Sequence, residues 1–385
     1  MALKVHRNGD ILIVGGYGVV GRRIAAHLAP WFPGRVVIAG RDEHKAAALC
    51  AQLGHGSRAR RIDIDDLATI APAFDGVGTV VSCVVQPRPY LFRTALAHGV
   101  AYTDIAPRLA LREGAEEAAW EARRTGARIL LGAGLSPGIS NMMARRLASA
   151  LGRVERIETA ILLSLGDEYG PDSLRHVLEA AMHPYAVVEH GRPRDALPFT
   201  EGARVRFPEP LGPRTAHLFP WSDVANYPRT LGVQTSLGRL ALDPAWAGQL
   251  APSLLRVGAR HWLERPGVLH GHRRVIERLA RVHAGQDRFA LVVTATGGGR
   301  VMRLSLAGRH QADATAAGAA VLVRALASGG IGNAGAWLPE EVVSSEDFFA
   351  GLASLGWKPA LEAMPAVTRA QRPARVEHRA YRQSA

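Results

Sequence analysis

The chain has 385 residues, 48% of them hydrophobic, which is apolar material for about two cores. Its 47 Lys+Arg against 34 Asp+Glu give +13, which admits nucleic acid, an acidic membrane surface or anionic small molecules; no compact Lys/Arg run with interleaved aromatics occurs, so an arginine-rich solvated surface is the plainer reading. With two cysteines (Cys50, Cys83), a polar start (Lys4, His6, Arg7, Asp10) and no run near the roughly 18–20 apolar residues of a membrane span, the expectation is a soluble cytoplasmic protein without disulfide framework, metal cluster, nucleic-acid partner or membrane anchor.

From residue 11 the pattern alternates short apolar runs with amphipathic stretches. "ILIV" (11–14) reads as a strand and 19–30 as a helix, with Val19, Val20, Ile24, Ala25 and Leu28 on one side. Strands at 35–40, 58–64, 78–85, 100–105 and 127–134 alternate with helices at 43–53, 67–74, 88–98 and 109–125. Such alternation predicts a parallel sheet covered on both faces, a doubly wound α/β domain over 1–150.

After about 150 the rhythm changes. A strand is predicted at 154–166 and a helix at 172–182, then short β-like pieces among prolines ("ARVRF", "TAHLF", "LGVQTSL"), then helices at 245–262 and 273–284. "RFALVVTA" and "RVMRLSLAG" flank "TGGG" and predict a hairpin. This is an α+β region, 151–310, with largely antiparallel strands. A helix is predicted at 312–327, within a C-terminal part 311–365, and the basic tail 366–385 reads as flexible.

Gly16-x-Gly18-x-x-Gly21 follows a strand and opens a helix. Gly16 suits a tight turn, Gly18 lets backbone approach a pyrophosphate, and Gly21 lets helix and sheet pack closely. The helix start, with Tyr17, Val19 and Val20 in its turn, offers free N–H groups and a partial positive charge to that pyrophosphate. The alternative is glycines that only shape a turn. The second strand ends "VVIAGRD": Gly40 stands where an NAD enzyme usually carries its ribose-binding acid, and Arg41 can clamp a 2′-phosphate. NADP is therefore expected. NAD stays possible if Arg41 faces solvent and Asp42, otherwise the cap of the next helix, turns in.

"SCVVQP" follows the fourth strand, so Ser82, Cys83, Val84 and Val85 are candidates to line the nicotinamide side, with Cys83 more simply a buried structural thiol. "GAGLSPGISN" (132–141) is a second glycine-rich turn into a helix, with Ser136 as N-cap and Pro137 at the first helical position. Ser136, Pro137 and Gly138 are candidates for a substrate wall.

"ILIVGGYGVVG", "VVIAGRD", "ALAHGVAYTDIA" (95–106) and "GAGLSPGISN", with the closing "GNAGAWLPEEVVSSEDFFAGLASLGW" (332–357), resemble the saccharopine dehydrogenase-like oxidoreductases; "FPWSDVANYPRTLGVQTS" (219–236) is similar to the middle of bacterial members. The resemblance implies a Rossmann domain, an inserted α+β domain that often dimerises, and a chain end returning to the first domain. It implies hydride transfer between a nicotinamide and an imine or amine carbon of a small molecule. The family's Asp-Pro-Gly turn stands here as Ser136-Pro137-Gly138, so a carboxylate near the cleft is missing.

Imine chemistry needs a proton donor near the nitrogen. Tyr102 and Asp104 end the fifth strand, and Asp104 either meets a cationic nitrogen or caps the following loop. In the inserted region His217 and Asp223 are further candidates, with Arg214 and Arg229 for a substrate carboxylate. Two other readings stand beside the imine oxidoreductase: reduction of a keto or enoyl group in a lipid or secondary metabolite, and an NADP-binding sensor or scaffold.

Overall fold

The computed structural model describes residues 8–86, 88–105, 115–170, 177–254 and 286–364. Six strands come first: β1 (Asp10–Val14), β2 (Val36–Gly40), β3 (Arg58–Arg61), β4 (Val77–Ser82), β5 (Ala101–Asp104) and β6 (Arg128–Leu130). Between and after them lie the helices α1 (Gly21–Trp31), α2 (Glu43–Leu53), α3 (Ile70–Ala73), α4 (Tyr90–Ala97), α5 (Ala115–Thr125) and α6 (Ile139–Leu151). Next come β7 (Arg156–Ser164), β8 (Tyr185–Glu189), β9 (Arg192–Ala196), β10 (Ala203–Arg206), β11 (Pro213–Leu218), α7 (Tyr227–Thr230), β12 (Thr235–Asp243), α8 (Ala245–Leu254), β13 (Arg288–Gly297) and β14 (Arg300–Arg309). The chain closes with α9 (Gln311–Ala327), β15 (Gly335–Trp337), α10 (Pro339–Val342), α11 (Ser345–Ser354) and β16 (Ala360–Met364).

The first sheet is parallel throughout, in the order β15-β6-β5-β4-β1-β2-β3. Ile11, Leu12, Ile13 and Val14 are all buried, as a strand covered on both faces requires, and each such side chain contributes about 2 kcal/mol of burial. The order reverses between β1 and β4, so the ligand crevice of a doubly wound sheet opens at their carboxyl ends. The second sheet runs β10-β11-β12-β7-β13-β14-β16, with β7 and β12 parallel and the other pairs in that path antiparallel. The expected Rossmann sheet and largely antiparallel α+β sheet are both present.

Helix α9 joins the layers. An alanine-rich helix hydrophobic on all sides must be enclosed. Ala316, Ala319, Ala320 and Val323 pack with α1, while Ala314, Ala317, Leu322 and Leu326 share a core with α6 and the second sheet.

Several expectations are corrected. Helix α1 begins at Gly21, because Val19 and Val20 belong to the preceding turn. Strand β6 is three residues long, since Gly132 takes φ +79 and turns the chain away. "LGVQTSL" is not a strand of its own: α7 and Gly232 (φ +69) delay β12 to Thr235. The chain end does not return to the first sheet alone, for β15 pairs with β6 while β16 pairs with β14. The helix expected at 273–284, the far half of that at 245–262, the start of those at 109–125 and 172–182, and the tail 366–385 lie outside the described residues.

Candidate cofactor crevice and active site

The glycine turn is built by close backbone approach. A Cβ on Gly16 would lie 2.7 Å from the Ile13 carbonyl oxygen, and one on Gly21 2.3 Å from that of Gly15. At Gly18 only the Gly15 oxygen, at 3.1 Å, would be near, which leaves that backbone open on its other side. The left-handed conformation falls to Gly15 (φ +77) rather than Gly16, which corrects the assignment of the tight turn. Helix α1 starts directly after this turn: the Arg22 N–H donates to the Gly18 carbonyl (3.1 Å) and those of Arg23 and Ile24 to the Val20 carbonyl (3.1 and 3.0 Å), while the N–H groups of Val19, Val20 and Gly21 have no backbone acceptor among the described residues. These features fit a pyrophosphate.

The end of β4 closes over the same turn. The Cys83 N–H donates to the Val14 carbonyl (2.8 Å), and Val84 packs where a Cβ on Gly15 would sit. Ser82 and Val85 flank that contact in sequence. Burial pushes the Cys83 thiol up to about 12, so it is an inert apolar group here.

At the end of β2, Gly40 makes room for Tyr17: a Cβ there would meet the Tyr17 ring at 2.4 Å. The Asp42 N–H donates to the Tyr17 hydroxyl (3.1 Å), while the Asp42 carboxylate accepts from the Lys45 N–H and caps α2. Arg41 is exposed. The position that would hold a ribose-binding acid is thus occupied by an aromatic ring, and the nearest acid is engaged in a cap.

At the end of β5, Asp104 is 3% exposed and accepts a hydrogen bond from the Gly132 N–H (3.1 Å). Burial pushes its carboxyl up to about 7, backbone hydrogen bonding offsetting only part of the lost hydration. Tyr102 is corrected to a core residue. It is fully buried, stacks edge-on against Phe92, and accepts from the Gln86 amide (2.9 Å), while burial and then the neighbouring Asp104 hold its phenol well above the usual range.

The turn after β6 differs from expectation. Ser136-Pro137 is a cis peptide, α6 begins at Ile139, and its N-cap is Gly138, whose N–H donates to the Asn141 side chain (2.8 Å). Ser136 is therefore not the cap. Its hydroxyl donates to Asp223 (2.9 Å), and Tyr227 donates to the other oxygen of that carboxylate (2.8 Å). The carboxylate absent from the turn is thus supplied from the second sheet's side. A few residues away Glu340 accepts from Asn141 (2.8 Å) and Thr230 (2.9 Å). Asp223 and Glu340 are essentially unexposed; burial raises both carboxyls, Glu340 to about 7. This buried polar junction escaped the sequence reading, apart from Ser136 and Asp223 as separate candidates, because its parts lie in three distant segments.

His217 is not brought to Asp104. It stands on β11 opposite Leu240, near Phe199. Arg214 is paired with Asp243 (3.4 Å) and Arg229 with Glu341 (2.8 Å), so both guanidinium groups that were expected to meet a substrate carboxylate already hold one of the protein's own. Among the described residues there is no cluster of three metal-ligating side chains and no helix long and apolar enough to cross a membrane.

Residues 11–130 match the family model for the saccharopine dehydrogenase NADP binding domain. The fold is similar to that of apo saccharopine dehydrogenase (L-Glu forming) from Saccharomyces cerevisiae, with TM-score 0.69 and 14% identity over 92% of this chain and 100% of that one. GenD2 from gentamicin A biosynthesis, in complex with NAD, aligns at TM-score 0.44 and 15% identity over 95% of this chain and 99% of that one. Over 81 residues the chain is 39% identical to the polyketide synthase ThaG of Burkholderia thailandensis; that stretch is 19% of this chain and 1% of the synthase.

Proposed function

We propose that this chain is a saccharopine dehydrogenase-like, NADP-dependent oxidoreductase that acts at a C–N centre of a small molecule, with Asp104 as the group that holds and releases the proton. When bound, NADPH supplies a hydride, which together with one proton converts a C=N bond into an amine. The observation that carries the reading is the place of Asp104. It ends the strand beside β4, is sealed from bulk water, and has its carboxyl pushed up to about 7, near the pH at which a general acid works best. The Gly132 N–H fixes one of its oxygens and so orients the group. Ser136, whose hydroxyl donates to Asp223, keeps its oxygen as an acceptor suited to an N–H of the substrate. The domain boundaries expected above, a cytoplasmic location, a homodimer and the absence of a nucleic-acid partner complete the proposal.

An NADPH-oxidation screen across pairs of keto acid and amine tests it. Turnover is expected with at least one pair, falling as pH rises through about 7 when Asp104 loses its proton. Asp104→Asn should lower the rate about a hundredfold while NADPH affinity stays within a factor of two or so. Turnover with keto or enoyl substrates but no amine pair would overturn the C–N reading. It would favour the second one, reduction of a keto or enoyl group, which the stretch of likeness to a polyketide synthase supports.

A further inference from the structure

Strand β3 carries three arginines in four residues, and two of them are engaged. Arg58 donates to Asp10 and to the Gly34 carbonyl, and Arg60 to the carbonyls of Ala73 and Asp75. Arg61 is exposed and has no hydrogen bond or ion pair among the described residues; the same holds for Arg41. The backbones that carry them lie at adjoining strand ends. Arg61 is in register with Gly40 across the parallel β2–β3 pair, strands that lie about 4.8 Å apart, and Arg41 is the next residue after Gly40. The Ile62 N–H donates to the Gly40 carbonyl (3.0 Å), which extends this register past the strand end. Both arginines therefore lie at the carboxyl edge of the sheet, where ligands of doubly wound folds bind. The acid next to them, Asp42, caps α2 through the Lys45 N–H and pairs with the Lys45 ammonium (3.5 Å), which partly offsets its charge toward an anion.

We infer that Arg61 is a second 2′-phosphate-binding residue, acting with Arg41 to select NADP over NAD. A phosphate dianion between two guanidinium groups accepts charge-assisted hydrogen bonds from both, whereas the 2′-hydroxyl of NAD draws little from either. The third arginine of β3 stays out of its own strand's ion pairs because its partner is the ligand.

Dissociation constants for NADPH and NADH, read by nicotinamide fluorescence, test this apart from any turnover. Arg61→Ala should weaken NADPH about tenfold and leave NADH unchanged. Arg61→Lys should retain part of the loss, since it keeps charge without the fork. 2′-AMP should compete for NADPH more strongly than 5′-AMP, and Arg61→Ala should remove that advantage. The inference is overturned if Arg61→Ala keeps the full NADPH preference, or if it weakens both cofactors equally. It is also overturned if the wild-type protein binds both with equal affinity. That last result alone would count against NADP selection itself; the first two leave it standing. An unchanged thermal melt of Arg61→Gln separates ligand loss from misfolding.

Discussion

The cofactor crevice and the polar junction sit at neighbouring strand ends but are built in opposite ways. In the crevice, side chains are removed: glycines at 16 and 21 let backbone meet backbone, and Tyr17 and Val84 fill spaces that a Cβ on Gly40 and Gly15 would otherwise occupy. In the junction, side chains converge: Ser136 and Tyr227 on Asp223, Asn141 and Thr230 on Glu340. At Gly16 and Gly21 the first arrangement tolerates no added atom, and the second tolerates no missing donor. A site of the first kind fails by steric exclusion, while one of the second kind fails by leaving a buried polar group without a partner.

The largest effect is expected at Gly21. Its added Cβ would lie 2.3 Å from a backbone oxygen and 2.9 Å from the Gly16 Cα, neither of which can swing aside. Gly21→Ala should cost about 3 kcal/mol, read from urea unfolding, and abolish NADPH binding in a fluorescence titration. Retained affinity would mean that the turn relaxes and the crevice is less tightly packed than the junction. Next comes Tyr227→Phe, which strips one donor from a carboxylate with no exposure. A loss of about 2 kcal/mol is expected, with NADPH affinity unchanged. The junction should also respond to pH. The Glu340 carboxyl titrates near 7 when folded, against an ordinary value of 4.5, so the folded state holds a proton that the unfolded state has released. Its contribution is complete below about 4.5 and is lost as pH rises through 7. Melting temperatures of Glu340→Gln should therefore decline less than wild type over that interval.

The contrast also decides what the sequence discloses. The glycine turn is local: strand, spacing and helix lie within residues 11–28, and steric demands at 16, 18 and 21 translate directly into residue type. The alternation of strands and helices is equally local, and it yields the parallel sheet. The junction is not. Ser136 and Asp223 are 87 residues apart and Asn141 and Glu340 are 199 apart, and a serine or glutamate does not name its partner. Arg214 and Arg229 read as anion-binding groups because charge is visible in sequence and its neutralisation by Asp243 and Glu341 is not. Tyr102 shows the same limit, since a tyrosine at a strand end looks catalytic until its hydroxyl is found inside the core. Strands β15 and β16 are short and borrow their stability from pre-existing sheet edges, so no periodicity of their own announces them.

The smallest effect separates packing from charge within the crevice itself. At Gly40 an added Cβ meets only the far end of the Tyr17 ring, which can rotate away, so Gly40→Ala should cost less than about 1 kcal/mol. The displaced hydroxyl would no longer accept the Asp42 N–H, but the Asp42 cap on α2 would persist. Tyr17 lies between the glycine turn and the end of β2, on ground common to both dinucleotides. Its displacement should therefore weaken NADPH and NADH alike, by a few-fold, leaving their ratio unchanged. Arg41→Ala and Arg61→Ala should instead change the ratio and leave the NADH affinity where it was. Titrating both cofactors against all three variants distinguishes a crevice whose selectivity is charge at its rim from one whose selectivity is the shape that Tyr17 imposes. A shifted ratio in Gly40→Ala would assign selectivity to the ring.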